Sequence, residues 1–115
     1  MGIIDQKKLD QIRCWKGKPN PELFEKVIRL FLKQMSLSLK ELLRAAGRAD
    51  SQAVIEIAHT LKSSSGTVGA AELMALCKQV ELTSEQNLDL ELIDSVQRAC
   101  SDVEAVLNRE LDKLV

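Results

Sequence analysis

Residues 54–70 read Val54-Ile55-Glu56-Ile57-Ala58-His59-Thr60-Leu61-Lys62-Ser63-Ser64-Ser65-Gly66-Thr67-Val68-Gly69-Ala70. Val54, Ile57, Ala58, Leu61, Ser65 and Val68 recur at spacings of three and four, so at ~100° per residue they gather on one side of a helix. His59, the one histidine of the chain, falls about 140° from the mean direction of that stripe and is expected to face solvent. Ile55, Lys62, Ser63 and Gly66 lie within about 60° of it on the same outer surface. The pattern predicts a helix over Ser51 to Gly66, a tight turn at Thr67, Val68 and Gly69, and a further helix over Ala70 to Ser84 whose buried stripe is Leu73, Leu76, Cys77 and Val80. A connection that short forces the two helices to lie antiparallel and side by side.

The same reading extends outward. Asn20-Pro21 supplies an N-cap followed by proline at the first helical position. A long helix to about Ala46 follows, with Phe24, Val27, Ile28, Phe31, Met35, Leu39 and Leu42 on its main apolar face. Leu23 and Leu30 widen that face, as two packing partners would require. Gly47-Arg48-Ala49 ends the helix and Asp50 caps the next one. Polar Thr83 to Asn87 connect to a last helix over about Leu90 to Leu114, with Asp89 as N-cap and Ile93, Val96, Cys100, Val103, Leu107 and Leu111 repeating at three and four. A short helix from about Ile4 to Arg13 precedes the linker Trp15 to Asn20. The expected architecture is an all-α, up-down-up-down antiparallel four-helix bundle over 21–114 with a cap helix in 1–14, forming one domain over 1–115.

Composition agrees. Apolar residues make up 45% of the 115 and aromatics only 3%, which suits helices packed by aliphatic side chains better than sheets. The net charge is −1, from 16 basic and 17 acidic residues, so no field draws the chain to nucleic acid or an anionic membrane. Lys16-Gly17-Lys18 reads as a solvated loop. No apolar run approaches the roughly 20 residues needed to span a bilayer, and no signal-peptide pattern opens the chain. Met1-Gly2 begins like a myristoylation signal, but Gln6 stands where that motif wants Ser or Thr. The three cysteines, Cys14, Cys77 and Cys100, form an odd set without Cys-x-x-Cys spacing. That argues against a disulfide framework or zinc site and for a reducing cytoplasm. Cys77 and Cys100 fall on apolar helical positions, as small core residues do.

The chemistry concentrates at His59. A neutral imidazole carries a lone pair on one nitrogen and a proton on the other, so an exposed ring can attack phosphorus. Lys62, one turn on, can offset the charge of the phosphoryl oxygens. The turn at Val68-Gly69 brings the next helix alongside, with residue 78 roughly level with His59 and residue 81 within about one turn of it. Lys78 and Glu81 then flank the site, and a Glu81 carboxylate bonded to one ring N–H would fix the tautomer. The triple serine is not a hydrolase nucleophile, because the chain has no second histidine and no Gly-x-Ser-x-Gly. Gly69 is read as a structural turn residue.

These residues resemble the histidine-containing phosphotransfer (HPt) domain family, whose pattern runs approximately Ala-His-x-Leu-Lys-Gly-Ser-Ser-x-x-x-Gly-Ala followed by Leu. Ala58, His59, Leu61, Lys62, Ser64, Gly69, Ala70 and Leu73 match, and Glu81 falls where the family often places the side chain that bonds its active imidazole. The departure is Ser63, where the family usually has glycine.

The resemblance implies that His59 accepts a phosphoryl group from an aspartate of a response-regulator receiver domain and passes it to another. The partner would supply Mg²⁺, an acidic pocket and a lysine, so no cofactor is expected on this chain. Ile55, Ser63, Gly66 and Lys78 are the expected partner-facing residues, with packing against the cap helix as the other reading of Ile55. The chain is expected to be a monomeric phosphocarrier without a kinase core. Its length suits a free-standing protein or the C-terminal part of a hybrid sensor histidine kinase. The alternatives are a helical bundle that docks receivers without carrying phosphate, an adaptor unrelated to signalling, and the phosphoacceptor module of a histidine kinase. The last normally has an acid after its histidine and a proline soon after. Here Thr60 follows, no proline occurs beyond Pro21, and glycine-rich ATP-binding boxes are absent.

Overall fold

The computed structural model describes residues 2–114, so Met1 and Val115 of the expected domain lie outside it. In chain order it has α1 (Gln6–Arg13), β1 (Cys14–Trp15), β2 (Lys18–Pro19), α2 (Pro21–Gly47), α3 (Ser51–Val68), α4 (Ala71–Thr83) and α5 (Leu90–Asp112). Helix α2 packs on α3 and α5, and α4 packs on α3 and α5. The four long helices therefore close a ring, the antiparallel bundle expected, with α1 resting on α2 and α3.

Helix starts follow the caps. Asn20, Asp50 and Asp89 each accept backbone N–H bonds from the first turn of α2, α3 and α5, satisfying donors that have no partner inside the helix. Asp5 does the same for α1 through the Lys7 N–H, which is why that helix begins at Gln6 and not at Ile4. At the other ends the expectations shift by a residue or two. Gly47 and Gly66 remain helical, and the left-handed residues that stop α2 and α3 are Ala49 (φ 54) and Gly69 (φ 80). Helix α3 thus runs through Thr67 and Val68, and the turn into α4 is tighter than the one expected.

The linker is not featureless. Cys14 pairs with Pro19 and Trp15 with Lys18 in a short antiparallel ladder, and both central turn residues have positive φ, 53 at Lys16 and 77 at Gly17. That is the signature of a type I′ hairpin turn.

The core is aliphatic, built from Phe24, Ile28, Phe31, Met35 and Leu42 of α2, Val54, Ala58, Leu61 and Val68 of α3, Leu73, Cys77 and Val80 of α4, and the whole expected stripe of α5. Val27, Leu39, Ile57 and Leu76 are only partly buried, at the edges of their stripes. Leu30, expected to widen the packed face of α2, is 56% exposed. Helix α2 does have the two partners its wide face requires, α3 and α5, but Leu30 lies outside both seams. No helix among the described residues is long and apolar enough to cross a membrane.

Two contacts seat the cap helix. The Asp5 N–H donates to the Gly69 carbonyl at 2.8 Å, and a Cβ on Gly69 would stand 2.8 Å from Lys8 Cβ and 2.9 Å from the Asp5 carbonyl oxygen. At the far end of α1, the Arg13 guanidinium donates to Glu110 of α5 at 2.7 Å and stacks 4.4 Å over the centre of the Phe24 ring. Gln6 and Lys113 also donate to Glu110. Burial alone would raise the Glu110 pKa, but Arg13 and Lys113 outweigh it and hold the carboxyl below the ordinary range.

Candidate functional site

His59 sits midway along α3 on the side opposite Val54, Ala58 and Leu61, and its side chain is 65% exposed. The short Gly69 turn sets α4 beside α3 in a register that puts Glu81 against the imidazole. Glu81 Oε1 lies 3.3 Å from His59 Nδ1 and 2.9 Å from Lys62 Nζ. This oxygen is sealed from solvent, and the approaches of Lys62 Nζ and His59 Nδ1 fall short of aligned hydrogen-bond geometry. The attraction is electrostatic, with the Lys62 ammonium and a ring N–H both facing one carboxylate oxygen. Burial pushes the Glu81 pKa up, but Lys62 first and His59 second more than reverse this, so the carboxyl ionises below its usual range.

The arrangement has a definite chemical sense. An ionised carboxylate only accepts, so the ring nitrogen facing Glu81 carries the proton and Nε2 keeps its lone pair. A ring so exposed can offer that lone pair to an incoming group. Any positive charge that develops on the ring would be stabilised by Glu81 without the carboxylate taking the proton, as in acid-oriented imidazoles generally.

The other expected site residues are distributed as follows. Lys62 is half-buried, and its ammonium is engaged with Glu81. It reaches the imidazole through that shared carboxylate, a link the helical wheel does not reveal. Ser63 is exposed one turn below His59 and donates its hydroxyl to the His59 carbonyl at 3.3 Å. Gly66 is half-buried, and a Cβ there would come within 3.2 Å of Met74 Sδ, so its smallness lets an exposed methionine of α4 close over α3. Lys78 is exposed and forms no ion pair or hydrogen bond among the described residues. Ile55 is half-exposed. The cap helix is anchored at Gly69, about 21 Å further along the α3 axis, so α1 gives no account of that isoleucine. Met74, which the sequence reading did not single out, is 39% exposed beside Gly66. Among the described residues no group of three or more His, Cys, Asp and Glu side chains converges to hold a metal ion.

The model of the Hpt domain family matches residues 26–114 of the chain. The chain belongs to the Hpt domain family. The matched segment includes nearly all of α2 and all of α3, α4 and α5, so His59, Lys62 and Glu81 fall inside it. Among solved structures, the chain is similar to the crystal structure of histidine-containing phosphotransfer protein B (HptB) from Pseudomonas aeruginosa PAO1. The TM-score is 0.87 at 22% identity, over 96% of each chain. At that identity the likeness establishes a shared fold. A comparison with curated proteins gives no match. As an Hpt domain, the chain is a histidine phosphotransfer module of two-component phosphorelays. Hpt domains are phosphocarriers, not kinases, and work with receiver domains and kinases.

Proposed function

We propose that His59 is the phosphoacceptor and that Nε2 is the atom phosphorylated. The observation that carries this reading is the contact of Nδ1 with Glu81 on a ring that is otherwise open to solvent. Nε2 attacks the phosphorus of a receiver-domain aspartyl phosphate as the bond from phosphorus to the carboxylate oxygen breaks, and the aspartate leaves as a free carboxylate. The phosphorylated ring retains the Nδ1 proton and is cationic, and Glu81 balances that charge. Attack by the aspartate of a second receiver reverses the step and restores the neutral imidazole. Phosphoryl transfer of this kind demands positioning and charge compensation more than covalent chemistry from the protein.

Glu81 orients the ring. Lys62 tethers Glu81 and stands ready as the nearest ammonium to the phosphoryl oxygens. Ile55, Ser63, Gly66 and Lys78 lie on the receiver-facing surface. The chain acts as a monomeric, cytoplasmic carrier over the single domain 1–115 and binds no cofactor itself, the Mg²⁺ being held by the receiver with its acidic residues.

The test mixes the purified chain with a receiver domain carrying labelled phosphate. Label that is acid-labile and alkali-stable should appear on the wild type and be absent from His59→Gln. Label retained by that variant would assign the acceptor to another residue.

A further inference from the structure

The three consecutive serines after Lys62 meet different fates. Ser65 is buried and donates to the Leu61 carbonyl at 2.6 Å. Ser64 is half-buried and shares its hydroxyl between the Thr60 and Leu61 carbonyls at 3.3 and 3.2 Å. Ser63 is exposed, and its hydroxyl has a single partner, the His59 carbonyl at 3.3 Å, a distance at the weak end for an O–H donor. That carbonyl is at a helix-interior position, where the regular i→i−4 backbone bond satisfies it already. Ser63 can therefore release it at little cost.

Side chains on a helix lean toward its N-terminus, so the Ser63 hydroxyl overlies the turn that carries His59. Lys62, the other polar side chain on this face within one turn C-terminal to the ring, is drawn toward Glu81 on the α4 side. Ser63 lies on the opposite flank of the imidazole, about 100° around the helix from Lys62. A phosphoryl group on Nε2 would have an ammonium available on one side and, on the other, this hydroxyl.

We infer that the Ser63 hydroxyl is a phosphate-binding donor. On phosphorylation of His59 it turns from the backbone carbonyl to a phosphoryl oxygen and stabilises the phosphohistidine. The inference rests on the reading of His59 as acceptor. It gives the departure from the glycine pattern a chemical role and not only a steric one.

Bulk and hydrogen bonding are separable because they act on different quantities. Extra bulk beside the histidine changes the rate at which a receiver docks, but it leaves untouched the equilibrium between free phosphorylated chain and free phosphorylated receiver. A hydroxyl bonded to the phosphoryl group shifts that equilibrium.

The experiment lets the chain and one phosphorylated receiver domain exchange to equilibrium and measures the ratio of phosphohistidine to phosphoaspartate for wild type, Ser63→Ala, Ser63→Gly and Ser63→Thr. Loss of one hydrogen bond to a charged acceptor should move the ratio about three- to tenfold toward the receiver in both the alanine and glycine variants. Threonine, which keeps the hydroxyl, should stay near wild type. Circular dichroism on the alanine variant confirms the fold, since alanine favours helix. An alanine variant with the wild-type equilibrium, whatever its rate, would overturn the inference. Label persisting on His59→Gln would instead overturn the acceptor assignment on which it rests.

Discussion

Glu81 on α4 meets His59 on α3 through one carboxylate oxygen, 3.3 Å from the ring Nδ1. The contact crosses between two helices and holds the imidazole on one side while most of the ring stays exposed. Removing it frees the ring to rotate and to exchange tautomers. Glu81→Ala should slow transfer from a receiver roughly tenfold, about 1.4 kcal/mol for the lost electrostatic contact. The ¹⁵N chemical shifts of the ring should move toward a tautomer mixture. Glu81→Gln keeps an acceptor for Nδ1–H and should fall between the two. A ring spectrum unchanged in Glu81→Ala would show that the carboxylate does not orient the histidine.

Lys62 binds the same Glu81 oxygen at 2.9 Å, and its ammonium is the larger of the two influences that lower the Glu81 pKa. A depressed carboxyl pKa contributes stability that is present above the ordinary carboxylate range and is lost as pH falls through the lowered value. Carboxyl ¹³C titration should therefore find Glu81 ionising below its usual range in the wild type. In Lys62→Ala, where burial is left opposed only by His59, it should ionise at clearly higher pH. The variant should also transfer phosphate more slowly at mildly acid pH than at neutral pH, because protonated Glu81 no longer balances the phosphorylated ring. An unmoved Glu81 titration would mean that the two side chains are not coupled in solution.

Much of this arrangement is legible in the chain. Polar residues ahead of apolar periods mark Asn20, Asp50 and Asp89 as caps, and each caps its helix. The wheel turns His59 outward, and a short turn at Gly69 is enough to bring residue 81 near it. What escapes the sequence is of two kinds. Local periodicity is blind to partners far along the chain, so nothing in it shows that Glu110 is the buried partner of Arg13. For the same reason Lys62 reads as a free ammonium and not as the tether of Glu81. The second kind is backbone. Lys16-Gly17 lacks the Asn or Asp that signals a type I′ turn, and Ala49 takes a left-handed φ that glycine two residues earlier invites one to place at Gly47.

Gly69 combines a left-handed φ of 80 with an approach that leaves no space for a side chain, since Lys8 Cβ and the Asp5 carbonyl lie under 3 Å from where a Cβ would stand. Gly69→Ala should destabilise the domain by about 2–4 kcal/mol, part from the backbone conformation and part from lifting α1. Hydrogen exchange should locate the damage: the Asp5 N–H, which bonds the Gly69 carbonyl, should lose protection before the amides of α5 do. A loss below about 0.5 kcal/mol, the usual range for an ordinary surface substitution, would contradict the close seating of the cap helix.

The thiols should divide by burial. Cys77 and Cys100 are buried, and desolvation is the main reason their thiols are pushed up to about 12 and about 11. A second contribution at Cys77 is the neighbouring Cys100. Since the thiolate is the reactive form, both should resist a disulfide reagent at pH 8 in the native state, while exposed Cys14 reacts. One fast thiol per chain is expected, and all three in denaturant. Fast reaction at Cys77 would show that the α4–α5 seam opens readily.

Glu110 is the point at which acid should reach the fold. Its side chain is 8% exposed and accepts from Arg13 at 2.7 Å, and its pKa is lowered. The stability it contributes is thus complete above the ordinary carboxylate range and fades as pH drops through its lowered value, when Arg13 loses its partner. Glu110→Gln should imitate this at neutral pH, at a cost of about 1–2 kcal/mol because Arg13 stays partly in water. For a chain of this length that is a fall in Tm of roughly 4–8 °C. Because Arg13 also covers the Phe24 ring, the loosening should spread from α1 into the start of α2 and spare the α3–α4 seam around His59. The variant should therefore lose stability while keeping its phosphotransfer rate at low temperature, and a parallel loss of both would show that the cap helix supports the phosphorylation site directly.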